Sequence, residues 1–233
     1  MEFGNTTATL EMSTDLTTME SGVGDVGIVF QILSGLYNDP QRIIVQEYIA
    51  NARDAHREVE KFDVPVDVTL PTFLESELKI RDYGPGISPE RMSKVFINYG
   101  ASTKRGSNIQ TGGFGIGAKC VFSYTDSCTI ETWVEGVYYV YSYMKSEDNK
   151  PKCILMNSEP SQDPTGTRIS INIRSSDINV VCSNVYYVTQ YWNVRPNVIN
   201  PGAYRGDKYF EYDKTAQGDN WQYLKNRGSK CHV

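Results

Sequence analysis

Apolar residues recur at three- and four-residue steps through Ile43, Ile44, Tyr48, Ala52 and Ala55, and this spacing predicts a helix over residues 40–61. Asp39 and Pro40 read as its N-cap and first-turn proline. An earlier set, Ile28, Val29, Ile32, Leu33 and Leu36, predicts another helix within 26–36. Alternation replaces helical spacing at 64–70 and again at 77–81, as expected of two short strands. Ser88-Pro89 then opens a helix expected to reach about Asn98. Residues 99–119 hold six glycines, which predicts a long loop of the kind that serves as a lid or binding loop. Cys128–Val134, a Glu135-Gly136 turn and Val137–Met144 form an expected hairpin, followed by strands at Cys153–Met156 and Thr165–Ile173. Ile178, Val181, Val185, Val188, Tyr191 and Trp192 predict an amphipathic closing helix over 177–194. This order implies an α+β fold, a two-layer α/β sandwich with helices on one face of a mixed, largely antiparallel sheet.

The ends are read less sharply. Residues 1–25 are expected to be a flexible N-terminal arm, or to supply an edge strand that needs a partner, with one alternating piece at Thr7–Met12. The folded domain is expected over 26–195, and 196–233 is either a tail or the start of a further domain. A net charge of −5 argues against a surface that coats nucleic acid. No run of 18 apolar residues and no signal-peptide pattern occurs, so the expected location is cytoplasmic, or at most peripheral to a membrane. The five cysteines are odd in number and lack CxxC spacing, so packed, reduced thiols are expected rather than a disulfide framework or a zinc site.

Four stretches carry candidate chemistry. On the 40–61 helix, Glu47, Asn51 and Asp54 stand at i, i+4 and i+7 along one face. A carboxylate, an amide and a second carboxylate so aligned can activate a water and help hold a cation, although the solvated face of an amphipathic helix has the same pattern. Asp82-Tyr83-Gly84-Pro85-Gly86 puts a carboxylate at a strand end before glycines that admit a close ligand, or else is an ordinary strand-to-helix turn. A buried carboxylate there can accept a hydrogen bond from an exocyclic amine such as that of adenine. Gly112-Gly113-Phe114-Gly115-Ile116-Gly117-Ala118-Lys119 can aim backbone N–H groups at an anion, or can be a flexible linker; it is neither a P-loop nor a dinucleotide fingerprint. Upstream of it, Ser102, Thr103 and Lys104 offer hydroxyls and an ammonium to phosphate oxygens. Gly166-Thr167 opens a strand with a hydroxyl that can help Asp82 read a base through a water.

In this order and spacing the four boxes, within about 26–195, resemble the ATP-binding domain of the GHKL superfamily. That group shares the Bergerat fold among gyrase B subunits, large heat-shock chaperones, MutL proteins and histidine kinases. The resemblance implies ATP and Mg2+ as ligands. It implies Glu47 as the general base acting on the attacking water, Asn51 as the metal ligand and Asp54 as support for the nucleotide end. Asp82 with Thr167 would bind the adenine amine, and Gly84 and Gly86 would line the base pocket. Ser102, Lys104, Gly112, Gly113, Phe114, Gly115, Ile116, Gly117 and Lys119 would close over the phosphates. His56 has no role in that pattern and is expected to be a surface or satisfied helix histidine.

A narrower likeness, carried by Phe30-Gln31-Ile32-Leu33, the Gly112–Lys119 loop and above all Phe122-Ser123-Tyr124-Thr125-Asp126, is to the bacteriophage rIIA-like (rapid-lysis protector) proteins. It implies a role in host lysis timing, exclusion or defence, with a host protein or peripheral membrane partner. A homodimer through the N-terminal arm is a further expectation, and no nucleic-acid partner is expected. Slow ATP hydrolysis coupled to lid closure is the leading expectation. The alternatives are a nucleotide-gated binding module without hydrolysis and an anti-sigma-type serine kinase. Kinases of the histidine class usually carry Asn where this chain has Glu47.

Overall fold

The computed structural model describes residues 18–20, 38–92, 117–147, 150–206, 208–209, 212–218 and 221–226. The expected 26–36 helix therefore lies outside the described residues, as do the Thr7–Met12 piece and most of the glycine-rich loop.

Helix α1 runs Pro40–Glu58, with Asp39 as its N-cap accepting from the Arg42 N–H at 3.0 Å and Pro40 in the first turn. Its apolar stripe, Ile44, Val45, Tyr48, Ile49 and Ala52, is buried against the sheet and a second long helix. Burying each of the larger aliphatic side chains is worth roughly 1.5–3 kcal/mol.

Among the described residues eight strands build the main sheet: β1 (Thr18–Glu20), β2 (Asp67–Thr69), β3 (Glu77–Arg81), β4 (Ser127–Val134), β5 (Val137–Lys145), β6 (Pro151–Pro160), β7 (Gly166–Asn172) and β8 (Asn197–Ile199). Their order across the sheet is β1-β6-β5-β4-β7-β3-β2-β8. All neighbours are antiparallel except β2 and β8, which run parallel. Helix α2 (Pro89–Met92) follows β3, a 3₁₀ helix (Gly117–Ser123) precedes β4, and α3 (Ile178–Thr189) packs beside α1. The expected α+β two-layer arrangement is therefore the observed one.

Several boundaries differ from the sequence reading, each for a local reason. The strand expected over 153–156 extends to ten residues, because β6 follows β5 along its whole length. The closing helix stops at Thr189 rather than 194; the chain tightens there into i→i−3 turns, with the Gln190 and Trp192 N–H groups donating to the Tyr187 and Thr189 carbonyls at 3.4 and 3.1 Å. The Gly117–Lys119 end of the expected loop is the start of the 3₁₀ helix, packed on α1. Beyond residue 195 the chain adds β8 to the sheet, so the sheet continues to Ile199. A separate hairpin of β9 (Tyr212–Gly218) and β10 (Trp221–Asn226) lies within the segment read as tail or further domain. Cys120, Cys128, Cys153 and Cys182 are buried free thiols, as expected; Cys231 lies outside the described residues.

Strand alternation decides what faces the helices. Leu78 and Ile80 of β3, Ile169 and Ile171 of β7, and Cys128 and Ile130 of β4 all belong to the buried core. Continuing each row by one step brings Asp82, Thr167 and Thr132 to the same end of three adjacent strands. All three are buried, at 6%, 6% and 0% exposure, so the core face ends in a polar cluster.

Candidate nucleotide site

Asp82 anchors that cluster. Its Oδ1 accepts the Gly84 N–H at 2.8 Å and the Thr167 N–H at 3.1 Å, while the Asp82 N–H donates to the Thr167 carbonyl at 2.9 Å. Burial pushes its carboxyl up to about 6, against the opposing pull of the Gly84 N–H, the Arg81 guanidinium and the Thr167 N–H. A carboxylate with one oxygen saturated by backbone and a second oxygen to offer is suited to accept from a planar amine.

The surrounding loop is held from several sides. The Thr132 hydroxyl accepts the Ile87 N–H at 2.7 Å and donates to the Gly166 carbonyl at 3.2 Å, tying the loop to β7. Arg81 reaches back along the opposite face of the sheet. It donates to the carbonyls of Asp82 and Pro164, both at 2.7 Å, and lies 4.0 Å from the centre of the Trp133 ring. Beside it Arg168 grips the Glu131 carboxylate through Nε and Nη2, and Glu131 also accepts a hydrogen bond from the Tyr138 hydroxyl; the arginine holds that carboxyl below its usual range despite burial.

Gly84 and Gly86, in the loop after Asp82, are required by protein contacts. A Cβ at Gly84 would come 2.7 Å from the Ala55 Cβ and 2.8 Å from the Ala55 carbonyl oxygen, so α1 and the loop touch backbone to backbone. Gly86 has φ +75°, and a side chain there would also run into the Trp133 carbonyl of β4.

About two turns back along α1 lies the second part of the site. Glu47 and Asn51, half-buried, stand against Gly117 at the end of the glycine-rich loop. A Cβ on Gly117 would overlap the Glu47 Oε2 and sit 3.7 Å from the Asn51 Nδ2. A carboxylate and an amide carbonyl are both hard oxygen donors, which fits a magnesium ion held mainly by phosphate and water. Among the described residues no group of three or more His, Cys, Asp or Glu side chains could form a protein cage for a metal. Asp54, the third residue of the face, is buried and pairs with Arg57 at 3.4 Å. Lys119 is buried within the 3₁₀ helix, where desolvation lowers its ammonium to about 8. The Tyr48 hydroxyl fastens this helix to α1 by donating to the Ala118 carbonyl at 2.8 Å.

Residues 38–177, more than half of the chain, match the family described as "Histidine kinase-, DNA gyrase B-, and HSP90-like ATPase". The chain belongs to this family. It is a GHKL-type ATP-binding domain, in a family whose members are ATPases or kinases. No match to a curated protein was found.

Of the sequence-predicted site residues of this GHKL domain, Glu47, Asn51 and Gly117 come together, and so do Asp82, Gly84 and Thr167. Ser102, Lys104, Gly112, Gly113, Phe114, Gly115 and Ile116 lie outside the described residues. Thr132, Arg81 and His56 support the loop and were missed as contributors. The strand parity that places Thr132 beside Thr167 was available in the sequence; the strand pairing that makes the parity useful was not. Among the described residues no helix is long and apolar enough to cross a membrane.

Proposed function

We propose that this domain binds MgATP with its base at Asp82 and its phosphates toward Glu47 and Asn51, and hydrolyses it slowly. The observation that carries the reading is the buried Asp82 carboxylate, pre-aligned by the Gly84 and Thr167 N–H groups in a loop packed on Ala55 of the helix that carries Glu47. Asp82 accepts the adenine amine through Oδ2, with the Thr167 hydroxyl beside it and Gly84 and Gly86 shaping the pocket. Magnesium, when bound, neutralises phosphate charge, and the Asn51 amide oxygen is the residue that would hold it. Glu47 orients a water and takes its proton as the water attacks the terminal phosphorus. Asp54 stiffens the nucleotide end through its pair with Arg57. Ser102, Lys104 and the 112–119 loop cover the phosphates and exclude water, with Gly117 as the point where that cover meets α1.

The domain proposal keeps an N-terminal arm within 1–25 but counts its Thr18–Glu20 strand with the nucleotide domain, since β1 pairs with β6. It moves the C-terminal limit from 195 to Ile199, since β8 is hydrogen-bonded to β2. The biological setting we propose is that of a phage rIIA-like protein acting in the host cytoplasm on lysis timing, exclusion or defence. That setting rests on the sequence likeness around Phe122–Asp126. A partner-facing output by lid closure, with the arm engaging a second copy, belongs to the same proposal.

The test is ATP binding and phosphate release measured on this chain and on Glu47→Ala. Binding by both with phosphate release only by the first is the expected result. Binding without release by either would replace hydrolysis with nucleotide gating, and transfer of labelled phosphate to a protein would favour the serine-kinase alternative. Absence of ATP binding would overturn the proposal.

A further inference from the structure

His56 was expected only as a surface or satisfied histidine, yet it occupies a decisive place. It lies one turn beyond the catalytic face of α1, at 2% exposure, and both ring nitrogens are bonded to backbone. Nε2 accepts the Tyr83 N–H at 2.7 Å, and Nδ1 lies 2.9 Å from the Val64 carbonyl. An amide N–H can only donate and a carbonyl can only accept, so the ring must be the neutral tautomer with its proton on Nδ1. Burial favours that neutral form, as do the nearby cations Lys61 and Arg81; the Val64 carbonyl and Asp67 oppose them.

Tyr83 directly follows Asp82, and the same short segment is caught by other groups from the end of α1. Lys61 Nζ donates to the Tyr83 carbonyl at 2.7 Å, and the Tyr83 hydroxyl donates to Asp67 at 2.6 Å. Gly84 rests on Ala55, and Arg91 beyond the loop forks onto Glu58 at 2.9 Å through both nitrogens. The His56 bond holds the N–H of the peptide joining Asp82 to Tyr83, whose carbonyl Arg81 holds from the other side at 2.7 Å. That peptide sets where the Asp82 carboxylate can lie.

We propose that His56 is a positioning residue for nucleotide recognition, latching the Asp82–Gly84 segment to α1 through the Tyr83 N–H so that the Asp82 carboxylate is presented to the base. The proposal rests on the reading of Asp82 as the base-binding group. Removing the acceptor leaves a buried N–H unpaired, while a side chain that restores an acceptor at the Nε2 position restores the latch.

The test titrates MgATP and MgGTP into the full chain and into three variants. His56→Gln can place an amide oxygen near the Nε2 position. His56→Asn reaches only to the Nδ1 position, and His56→Phe fills the space with no acceptor. The expected result is that His56→Gln keeps ATP affinity to within about threefold, whereas His56→Asn and His56→Phe lose about tenfold or more for ATP and less for GTP. Hydrogen exchange at the Tyr83 and Gly84 amides should accelerate in the same two variants. Melting curves identify a variant that fails to fold; if that is Phe, the Asn and Gln pair decides. Equal losses for Gln and Asn, or wild-type ATP affinity in Asn or Phe, would overturn the latch. Asp82→Asn in the same titration separates the two readings. If it binds ATP as the wild type does, base reading by Asp82 falls, and the exchange rates at Tyr83 still judge the latch.

Discussion

The two ends of the proposed site are built in opposite ways. At the base end, one carboxylate is located by backbone from β3 and β7, by Thr132 from β4 and by a loop fastened to the end of α1. At the phosphate end, the described groups are side chains on one helix facing a glycine, Glu47 and Asn51 against Gly117. A rigid frame of this kind suits the proposed recognition of a fixed planar base, which rewards pre-organisation. The Glu47 end rests on one close contact, the bare Gly117 backbone against the Glu47 carboxylate, where even a methyl group would collide. Damage to the first should appear as lost affinity or stability, and damage to the second as lost turnover.

The largest contrast should come from Glu47→Ala, with turnover falling about 10²–10⁴-fold while ATP affinity stays near wild type, as measured by phosphate release alongside calorimetric titration. A matching loss of affinity would blur the division. Next, Asp82→Asn should weaken ATP binding by about 2 kcal/mol, roughly thirtyfold, because the amide offers a donor where an acceptor is needed. Gly84→Ala follows, costing about 1–3 kcal/mol in chemical unfolding, since its methyl must push apart α1 and the loop.

A subtler test uses pH. The Asp82 carboxyl is raised from 3.8 to about 6, so between these values the folded chain binds a proton that the unfolded chain does not. Its contribution to stability therefore grows as pH falls through 6, while its capacity to accept the adenine amine is lost over the same window. Wild type minus Asp82→Asn should show these opposite trends in melting temperature and ATP affinity; parallel trends would contradict the assignment. The smallest effect is expected from Arg91→Ala, which breaks a half-exposed fork to Glu58 worth about 1 kcal/mol or less.

The same contrast marks what could be read from the sequence. Residues on the helix were legible because Glu47, Asn51 and Asp54 are neighbours by helical spacing alone. The hairpin was legible too, since Glu135 and Gly136, at φ 53° and 76°, make the turn that alternation on both sides had implied. The frame at the base end depends on non-local partners: Thr132 on Gly166, His56 on Tyr83 and Arg81 on Pro164 are separated by 34, 27 and 83 positions. No periodicity reports such contacts. β8 was missed for the same reason, because three residues have no period to detect and acquire their structure from β2.

The placement of β1 and β8 has a mechanical consequence. These three-residue strands occupy the two outer positions of the sheet, one contributed by residues 18–20 and the other by 197–199. Seven strand spacings separate them, or about 34 Å measured along the sheet. The two margins are thus closed by chain far apart in sequence, and beyond β8 the chain folds back onto α3, where Tyr204 and Tyr209 pack against Tyr186. Such short outer strands also offer little template for another chain to zip onto. Both outer strands lie outside the family-matched residues 38–177, so the matched core is flanked on each margin by a strand from elsewhere in the chain.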